Sequence, residues 1–327
     1  MMITFLTVCT IRQLPQALAL GESLQQHHPK DAFIVGLCDD LLNLPTGFQI
    51  PFPLVSINEL TIPDLDQLSQ QYTPAEFVAA CKPLFIKHIY RHRSQTDWVI
   101  YLDPSVYLYQ PLADLPSQYA NATLLLTPHL LKPVTDTAFP DEKFLQNVGL
   151  YSSGFLALKR TAEAARFLDW WSSRVPERAF ACPCEGMYTD QIWLVLTPGL
   201  FDGVVIVKNP AWHLGLWNLH ERASIENAPV IFLNYKGIID QEGYFQAQNR
   251  VRISAYPAIK KRLLAYQNRV HYFDRKDLSS SLSAFIPAYG KQAFKPPLRG
   301  WRKKTVEKLH QTVKFIETVD VPRKMNN

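Results

Sequence analysis

One stretch constrains the fold of this chain more than any other: five apolar residues that stop abruptly at an acid and a proline. Trp98–Leu102 is rich in strand-forming residues, and its length and composition are typical of a strand buried on both faces in a parallel sheet. The strand is expected to end at Asp103-Pro104, because proline has no backbone N–H and pushes its predecessor into an extended conformation. Ligands of open α/β sheets bind beyond the carboxyl ends of strands. Asp103 is therefore a candidate site residue, and the alternative is that it caps the following turn.

Alternating strand and helix patterns predict the fold class. Residues 3–8 and Ala32–Leu37 read as strands, and residues 15–27 between them carry apolar side chains at helical spacing. Such a unit implies parallel strands with a right-handed crossover. Further strands are predicted at residues 123–126, 151–158, 204–207 and 231–235. The pattern indicates an α/β fold with a mixed, mostly parallel sheet flanked by helices.

Three further helical segments are predicted, and two of them contain candidate site residues. Thr73-Pro74-Ala75-Glu76 is typical of a helix start, and the helix over residues 75–93 is expected to bend or restart at Pro83. Lys82 lies at that break, where a cation could face a ligand, although a solvated lysine is the alternative. A second helix is predicted over residues 161–174. A short helix opens at residues 188–191 and runs to about Leu196, with an electropositive start.

The composition describes a globular protein, with 47% hydrophobic and 19% charged residues. The apolar start of the chain is too short to span a bilayer and lacks a basic region and a cleavage site, so it is interpreted as the first strand. The five cysteines are scattered, which suits a reducing compartment. Cys182-Pro-Cys184 lacks the second pair that a zinc site needs. We expect a cytoplasmic protein that is soluble or peripheral at the inner face of the membrane.

The positive charge is concentrated at the C-terminus. Residues 291–327 contain ten Lys and Arg against three Asp and Glu, a net of +7, so the rest of the chain carries −2 of the total +5. We expect no nucleic-acid partner for this nearly neutral body. The predicted domains are residues 1–275 and a basic extension of residues 276–327. Residues 279–297 read as a linker or surface strap. A basic amphipathic helix is predicted from Trp301, and it either lies on an anionic membrane surface or docks on the domain.

Several stretches, in order, resemble a bacterial glycosyltransferase of the GT-A type, similar to the family 8 enzymes. The resemblance covers about residues 3–244. Its strongest marks are TVCTIRQLPQALALGESL, CKPLFIKHIY, VIYLDPSVYLYQPL, LLTPHLL, GLYSSGFLALKR with FLDWW, TDQIWL and NPAWHLGLWNLHER. By contrast, residues 9–12 after the first strand hold no GxGxxG, which disfavours a dinucleotide dehydrogenase. A nucleotidyltransferase on a similar sheet would need a glycine-rich phosphate loop that is missing near the N-terminus.

The resemblance implies a GT-A-like fold with a C-terminal helical extension. It also implies transfer of a sugar from a nucleotide-diphosphate donor, UDP-linked by expectation, to a hydroxyl of a saccharide or glycolipid acceptor in cell-surface polysaccharide or glycolipid synthesis. GT-A enzymes usually hold Mn²⁺ or Mg²⁺ with an Asp-x-Asp motif, whose carboxylates face the same way in an extended segment. Here the motif reads Asp103-Pro104-Ser105, and Asn234 aligns with the family's histidine. The implied metal ligands are thus Asp103, Ser105 and Asn234.

Two of these ligands are neutral, which leaves three outcomes open. The ion binds loosely, with the diphosphate supplying much of the coordination. Alternatively, the enzyme is metal-independent, and Lys82, Lys236 or Arg222 offset the diphosphate charge. In the third case, the protein is a non-catalytic nucleotide-sugar-binding or scaffold protein.

Other site residues carry over one at a time from the resemblance. The segment containing Thr7, Cys9 and Thr10 lines the nucleoside. Asp39 or Asp40 accepts a hydrogen bond from the base or ribose, and the alternative is that these acids cap a turn at the surface. Asp190 bonds sugar hydroxyls or orients the acceptor, and Gln191 lies by the anomeric carbon, so the implied catalytic residues are Asp190, Gln191 and Asp103. The alternative for Asp190 and Gln191 is an acid at a helix N-terminus and its neighbour. Other positions that the resemblance singles out are Ser152, where the family commonly has asparagine, and the acceptor-side residues His213, Trp217 and His220, whose structural use remains an alternative.

Overall fold

The computed structural model describes residues 2–112, 115–183, 186–222, 230–238, 248–274, 278–281, 284–285 and 301–318. The chain divides into two compact units, Met1–Ala288 and Tyr289–Asn327. The strands are β1 (Ile3–Cys9), β2 (Ala32–Leu37), β3 (Leu54–Ser56), β4 (Trp98–Leu102), β5 (Val106–Leu108), β6 (Leu124–Pro128), β7 (Tyr151–Lys159), β8 (Ala181–Cys182), β9 (Met187–Tyr188), β10 (Val204–Ile206) and β11 (Phe232–Asn234). The α-helices are α1 (Leu14–His27), α2 (Leu65–Gln70), α3 (Pro74–His92), α4 (Leu115–Gln118), α5 (Glu142–Val148), α6 (Ala162–Arg174), α7 (Thr197–Leu200), α8 (Leu219–Arg222), α9 (Pro257–Phe273) and α10 (Trp301–Thr318).

A seven-stranded sheet in the order β10-β6-β7-β4-β1-β2-β3 forms the centre of the first unit. Every pair in it is parallel except those of β7, which runs antiparallel to both β4 and β6. The predicted α/β class with a mixed, mostly parallel sheet is therefore confirmed. The chain proceeds outward from β1 to β2 and β3 in one direction and starts again with β4 on the other side of β1. The crevice where α/β proteins bind ligands thus lies at the carboxyl ends of β1 and β4.

Strand β4 is buried on both faces, as its composition predicted. All five of its side chains are at most 1% exposed. Val99 and Tyr101 point into a cluster that contains the apolar faces of α3 and α6. Trp98, Ile100 and Leu102 point into a second cluster that contains α1. Helices therefore cover the sheet on both faces.

Helix α3 carries one side of the site and continues through Pro83. Thr73 caps its N-terminus, and Glu76 bonds back to the Thr73 N–H, as the sequence indicated. Of the two expected outcomes at Pro83, the helix does not restart, because residues 74–92 form one helix, and a bend there stays a prediction. Phe77 and Phe85, on either side of the proline, are buried in the first cluster. Their packing against the sheet offsets the ~3 kcal/mol cost of an interior proline.

A short antiparallel pair, β5 and β11, brings a distant segment to the end of β4. Val106 pairs with Asn234, and the Tyr235 N–H donates to the Ser105 carbonyl at 2.9 Å. The predicted strands at 231–235 and 204–207 are shorter than expected (β11 and β10), whereas the one predicted at 123–126 continues to Pro128 in β6.

The second unit contributes the helix that the sequence predicted from Trp301, namely α10. Its side chains Leu309, Val313 and Ile316 are exposed by 59%, 50% and 64%. Within the described part of the chain, no helix is both long and apolar enough to cross a membrane. Most of the predicted strap over residues 279–297 lies outside the described residues, as does Cys184 of the Cys182-Pro-Cys184 pair.

Candidate active site

Lys82 lies buried between two carboxylates at the crevice. Its ammonium is 2.8 Å from Asp190 Oδ2 and 3.7 Å from Asp103 Oδ1, and the side chain is 6% exposed. The ammonium donates to the Ser153 carbonyl at 3.2 Å and to Ser153 Oγ at 3.1 Å. It also lies 4.8 Å from the centre of the Tyr101 ring. Because these groups are close together and have little contact with water, the ammonium and the two carboxylates interact strongly.

Asp103 is held at the end of β4 by backbone and side-chain contacts. Its N–H donates to the Gly154 carbonyl at 3.0 Å, and its Oδ1 accepts from the Tyr101 hydroxyl at 2.8 Å. Burial on its own would raise the pKa of Asp103. The positive charges of Lys82 and Lys236, with the Tyr101 hydrogen bond, outweigh burial and lower this pKa below its usual range. Asp103 is therefore an anion at neutral pH.

Asp190 and Gln191 follow a backbone conformation that non-glycine residues rarely adopt. Thr189 has φ of +49°, and strained residues of this kind cluster at functional sites. The Asp190 carbonyl accepts from Trp171 Nε1 at 3.2 Å, and Asp190 Oδ2 has no hydrogen-bond partner beyond its ion pair with Lys82 among the described residues. The Gln191 amide donates to the Val148 carbonyl at 2.8 Å and accepts from the Ser153 N–H at 3.2 Å.

A chain of side-chain hydrogen bonds runs from Ser105 to Thr127. Ser105 Oγ and the Lys236 N–H both donate to Asn234 Oδ1, each at 2.9 Å. Asn234 Nδ2 therefore donates to His213 Nε2 at 3.3 Å. In neutral His213 the proton is then on Nδ1, which donates to Thr127 Oγ1 at 2.6 Å.

His213 is neutral because it is buried. Burial lowers its pKa to about 3, with Arg222 acting in the same direction and Asp103 in the opposite one. The residue has φ of +52°, so its backbone is strained as well. A neutral imidazole in this position orients Asn234 rather than contributing charge.

Gly154 on β7 lets three of these groups meet. A Cβ at this position would lie 2.8 Å from both Asp103 Oδ2 and Asn234 Nδ2, and 3.2 Å from His213 Nε2. Any side chain here would push them apart. The sequence predicted a strand over residues 151–158, but nothing in it connected Gly154 with His213.

The predicted metal ligands, as arranged, do not fit a resident divalent cation. Mg²⁺ and Mn²⁺ prefer several oxygen ligands in near-octahedral geometry. Here Asp103 is the single carboxylate of the three, and the two hydrogen bonds to Asn234 Oδ1 occupy the oxygen that would coordinate an ion. The Lys82 ammonium already lies beside Asp103. No group of three or more His, Cys, Asp or Glu suited to a metal occurs among the described residues.

Two of the residues predicted to line the nucleoside, Thr7 and Cys9, are buried in the protein, and the third, Thr10, lies at a turn. Thr7 is fully buried, and its hydroxyl has no hydrogen-bond partner among the described residues. The Cys9 side chain packs in the second cluster, where burial and then Asp39 raise the pKa of its thiol far above the usual value. Its side chain is therefore not brought to the site. Thr10 precedes a 3-10 turn, Ile11–Gln13, and its N–H donates to Gln13 Oε1 at 3.3 Å.

Asp39 is fully buried and holds backbone rather than an open pocket. Its Oδ2 accepts from the Ile11 N–H at 3.3 Å, and its Oδ1 accepts from Asp40 at 3.1 Å and Ala284 at 2.7 Å. Ala284 belongs to the predicted strap. Asp40 accepts from the Leu42 N–H at 2.9 Å and caps a 3-10 turn.

The remaining candidates are mainly packed into the protein. Trp217 contacts the rings of His129 and His213 edge-on, at 5.6 and 5.5 Å between centroids. The Arg222 guanidinium donates to the Trp212 carbonyl and to Glu221, at 3.2 Å for the latter. It is thus already paired. Ser152 Oγ accepts from the Gly154 N–H at 3.2 Å. Half-buried His220 has its pKa lowered, first by burial and then by Arg250.

Comparison with known proteins finds distant relatives, and no family model matches the chain. It is 25% identical over 247 residues to the uncharacterized protein YfnF of Bacillus subtilis, covering 71% of this chain and 80% of that protein. Uncharacterized YfnD of the same organism is 22% identical over 249 residues, covering 71% and 77%. Among solved structures, the galactosyltransferase LgtC with donor and acceptor sugar analogues has a TM-score of 0.44 and 15% identity, covering 83% of this chain and 96% of that one. Mouse xyloside xylosyltransferase 1 has a TM-score of 0.42 and 13% identity, covering 72% and 98%. Any assignment of activity therefore depends on the chemistry of the site.

Proposed function

We propose that this chain is a glycosyltransferase that moves a sugar from a nucleotide-diphosphate donor, UDP-linked, to a hydroxyl acceptor. The observation that carries the proposal is the buried Lys82 ammonium between Asp103 and Asp190, at the carboxyl edge of the sheet beside β1 and β4. The ordered motifs that resemble GT-A enzymes support the same reaction class.

The chemistry requires a positive charge where the diphosphate leaves. The departing nucleoside diphosphate gains negative charge as the bond to the sugar breaks, and fixed charges in a water-poor site stabilise it best. Lys82 supplies a buried cation. The exposed Lys236 supplies a second one near enough to lower the Asp103 pKa. In this proposal the two lysines take on the charge-balancing task that a metal ion performs in other GT-A enzymes.

The two carboxylates have different tasks in this proposal. Asp190 bonds hydroxyls of the donor sugar or orients the acceptor, since its Oδ2 has no partner besides Lys82 among the described residues. Gln191, fixed by Val148 and Ser153, lies by the anomeric carbon. Asp103 holds the Lys82 ammonium in position. Thr10 contributes to the nucleoside end of the crevice, and buried Asp39 holds the loop after β1 in place through the Ile11 N–H.

A donor panel tests the proposal directly. We expect sugar-nucleotide hydrolysis or transfer with at least one UDP-sugar, and a loss of roughly a hundredfold or more in Lys82→Gln and Asp190→Asn. Lys87→Gln is the matched control. Lys87 lies on the same helix but is paired at the surface with Asp169, at 2.9 Å. Silence with every donor, together with no nucleotide binding, would refute the proposal.

A non-catalytic nucleotide-sugar-binding protein is the second candidate. The observation that favours it is the pair of neutral residues, Ser105 and Asn234, that bond each other where metal ligands were expected. Turnover that disappears in Asp190→Ala would eliminate this candidate, whereas donor binding without turnover would support it.

The setting of the reaction is part of the proposal. A basic, amphipathic α10 with exposed apolar side chains suits an enzyme that works at the inner face of a membrane, on acceptors of cell-surface polysaccharide or glycolipid. An anionic membrane surface is therefore a proposed partner, together with a saccharide or glycolipid acceptor.

A further inference from the structure

A cavity of about 510 Å³ opens beside the candidate active site, at the ends of β6 and β10 and the start of β7. Its volume is within the range of small-molecule sites. Its body is apolar, lined by Leu130, Leu131, Leu145, Leu150 and Ile206. Leu150 is 42% exposed, so part of its apolar side chain is left uncovered by the protein. An apolar group of a ligand would bury that surface.

The rim of the cavity carries positive charge. Lys132 and Lys208 line it and are exposed. Glu142 also lines it, and its Oε1 accepts from the Val134 N–H at 2.9 Å. Two ammonium groups against one carboxylate, itself hydrogen-bonded, favour a ligand that has an anionic group next to its apolar part.

The wall of the cavity is shared with the candidate active site. The backbone at 148–150 bonds Gln191 through the Val148 carbonyl at 2.8 Å, and two residues later Leu150 lines the cavity. His129 also lines the cavity. Its backbone N–H donates to the Leu150 carbonyl at 3.0 Å, and its ring Nδ1 lies 2.9 Å from the Gly149 carbonyl. Burial lowers the His129 pKa to about 4, so this ring is neutral and holds the wall by hydrogen bonds alone. One backbone segment thus borders the cavity at Leu150 and, at Val148, holds the residue assigned to the anomeric carbon.

We propose that this cavity binds the acceptor through an apolar aglycone joined to its sugar by a phosphate-type anionic linkage. The acceptor class is a lipid-linked saccharide rather than a free glycan. The apolar body takes the start of the hydrocarbon chain, and Lys132 and Lys208 face the linkage. The inference rests on the proposed transferase function, because that function gives the ligand its role as acceptor.

Binding of a small amphiphile tests the cavity without any transfer reaction. Octyl phosphate, below its critical micelle concentration, is titrated calorimetrically into the full chain in the absence of nucleotide. We expect saturable binding that is weakened about tenfold or more by Leu150→Asp, which places a charge on the apolar lining. Leu42→Asp is the matched control, since Leu42 is 88% exposed and does not line the cavity.

The charge on the rim is tested separately. Lys208→Glu should weaken octyl phosphate about threefold and leave neutral octyl glucoside unchanged. Because it alters only an exposed side chain, this variant keeps the test decisive should Leu150→Asp fail to fold. The control is Lys260→Glu on the exposed face of α9.

Each outcome has a defined meaning. No binding of octyl phosphate by the wild type, or equal binding by Leu150→Asp and the wild type, overturns the proposal. Equal weakening of octyl phosphate and octyl glucoside by Lys208→Glu overturns the anionic linkage. Amphiphile binding together with a silent donor panel would leave the cavity standing and remove the transferase function, so the two failures are distinguishable.

Discussion

At the scale of single residues, the charge balance of the site depends on Lys82. This ammonium lies next to two acids that have little contact with water, with side-chain exposures of 12% for Asp103 and 2% for Asp190. Removing one partner of a buried ion pair costs far more than the pair contributes as a whole, because the remaining charge is left without compensation. The stability of the fold and the charge of the site are therefore linked through one side chain.

Lys82→Gln should lower the free energy of unfolding by about 3 kcal/mol at neutral pH. It should also change the pH dependence. The Asp103 pKa is lowered in the folded protein, so its stabilising contribution is present above the unfolded pKa of about 3.9 and is lost as pH falls through the folded value. Without Lys82 the folded pKa rises, and stability should start to fall at a higher pH. Urea unfolding between pH 3 and 7 measures both effects, with Lys87→Gln as control.

His213 gives a second pH-dependent contribution. Its pKa of about 3 in the fold lies below the unfolded value of about 6.5. Between these values the unfolded chain binds one more proton than the native one, so His213 makes stability fall as pH decreases, by at most ~1.4 kcal/mol per pH unit. His213→Gln should flatten the wild-type slope between pH 6.5 and 5 by up to this amount. His310→Gln, which alters an exposed side chain of α10, is the control. An unaltered slope in His213→Gln would contradict a neutral buried imidazole.

The sequence identified several residues of this site but not their connections. Asp103 was predictable because a buried strand ends at an acid followed by proline, and Asp190 came from a motif. The pairing of Asn234 with Ser105 and with His213 joins segments 129 and 21 residues apart. Such contacts are set by the tertiary fold and leave no local pattern. Cys9 was predicted to line the nucleoside, and the structure places its side chain in the second cluster. Because β1 is buried on both faces, alternation along the strand could not show this.

At the scale of elements, a short segment of the strap is tied to the loop after β1. Leu278 is fully buried in the second cluster, and Arg12 Nε donates to the Ser279 carbonyl at 2.9 Å. Phe285 packs on Phe77 of α3, with 5.2 Å between ring centroids. Ala284 completes the attachment through Asp39. This carboxylate thus stabilises contacts between parts of the chain about 245 residues apart.

Asp39→Asn should destabilise the protein by about 1–2 kcal/mol, because hydrogen bonds to a charged acceptor are the stronger ones and an amide offers a single acceptor oxygen. The three backbone N–H groups of Ile11, Asp40 and Ala284 would then compete for it. Urea unfolding measures the loss, and hydrogen exchange of the Ala284 amide locates it. Asp40→Asn is the matched control, since Asp40 caps one exposed turn through Leu42. Equal effects of the two substitutions would contradict the assigned role of Asp39.

Helix α10 makes a separate prediction about membranes. Exposed Lys304 and Lys308 and the exposed side chains of Leu309, Val313 and Ile316 favour binding to anionic vesicles. Binding should decrease as salt shortens the Debye length from about 10 Å at 0.1 M, and Leu309→Asp should abolish it. Leu264→Asp, which is 53% exposed on α9, is the control. Salt-insensitive or absent binding would favour the alternative in which this helix docks on the domain.

At the scale of the whole molecule, local patterns predicted the elements better than their order in the sheet. Periodicity and composition identified the major strands, since burial imposes a pattern on adjacent residues. The antiparallel insertion of β7 between β4 and β6, and the pairing of β11 with β5, are contacts between distant segments. The uninterrupted α3 shows the same limit, because packing against the sheet overrode the local preference of Pro83.

Nucleotide binding at the crevice should stabilise the first unit as a whole, because β1, β4 and α3 meet there. A ligand that binds the folded state contributes about 2.7 kcal/mol at a hundred times its Kd, so UDP should raise the melting temperature. The neutral, mutually bonded Ser105 and Asn234 and the adjacent Lys82 predict that the shift occurs in EDTA and that Mn²⁺ changes it little. Lys82→Gln should remove most of the shift. Ser105→Asp, which restores a second carboxylate, should make the shift depend on Mn²⁺. If UDP instead shifts the melting temperature of the wild type only when Mn²⁺ is present, the ion arrives bound to the diphosphate and Asp103 recognises the complex.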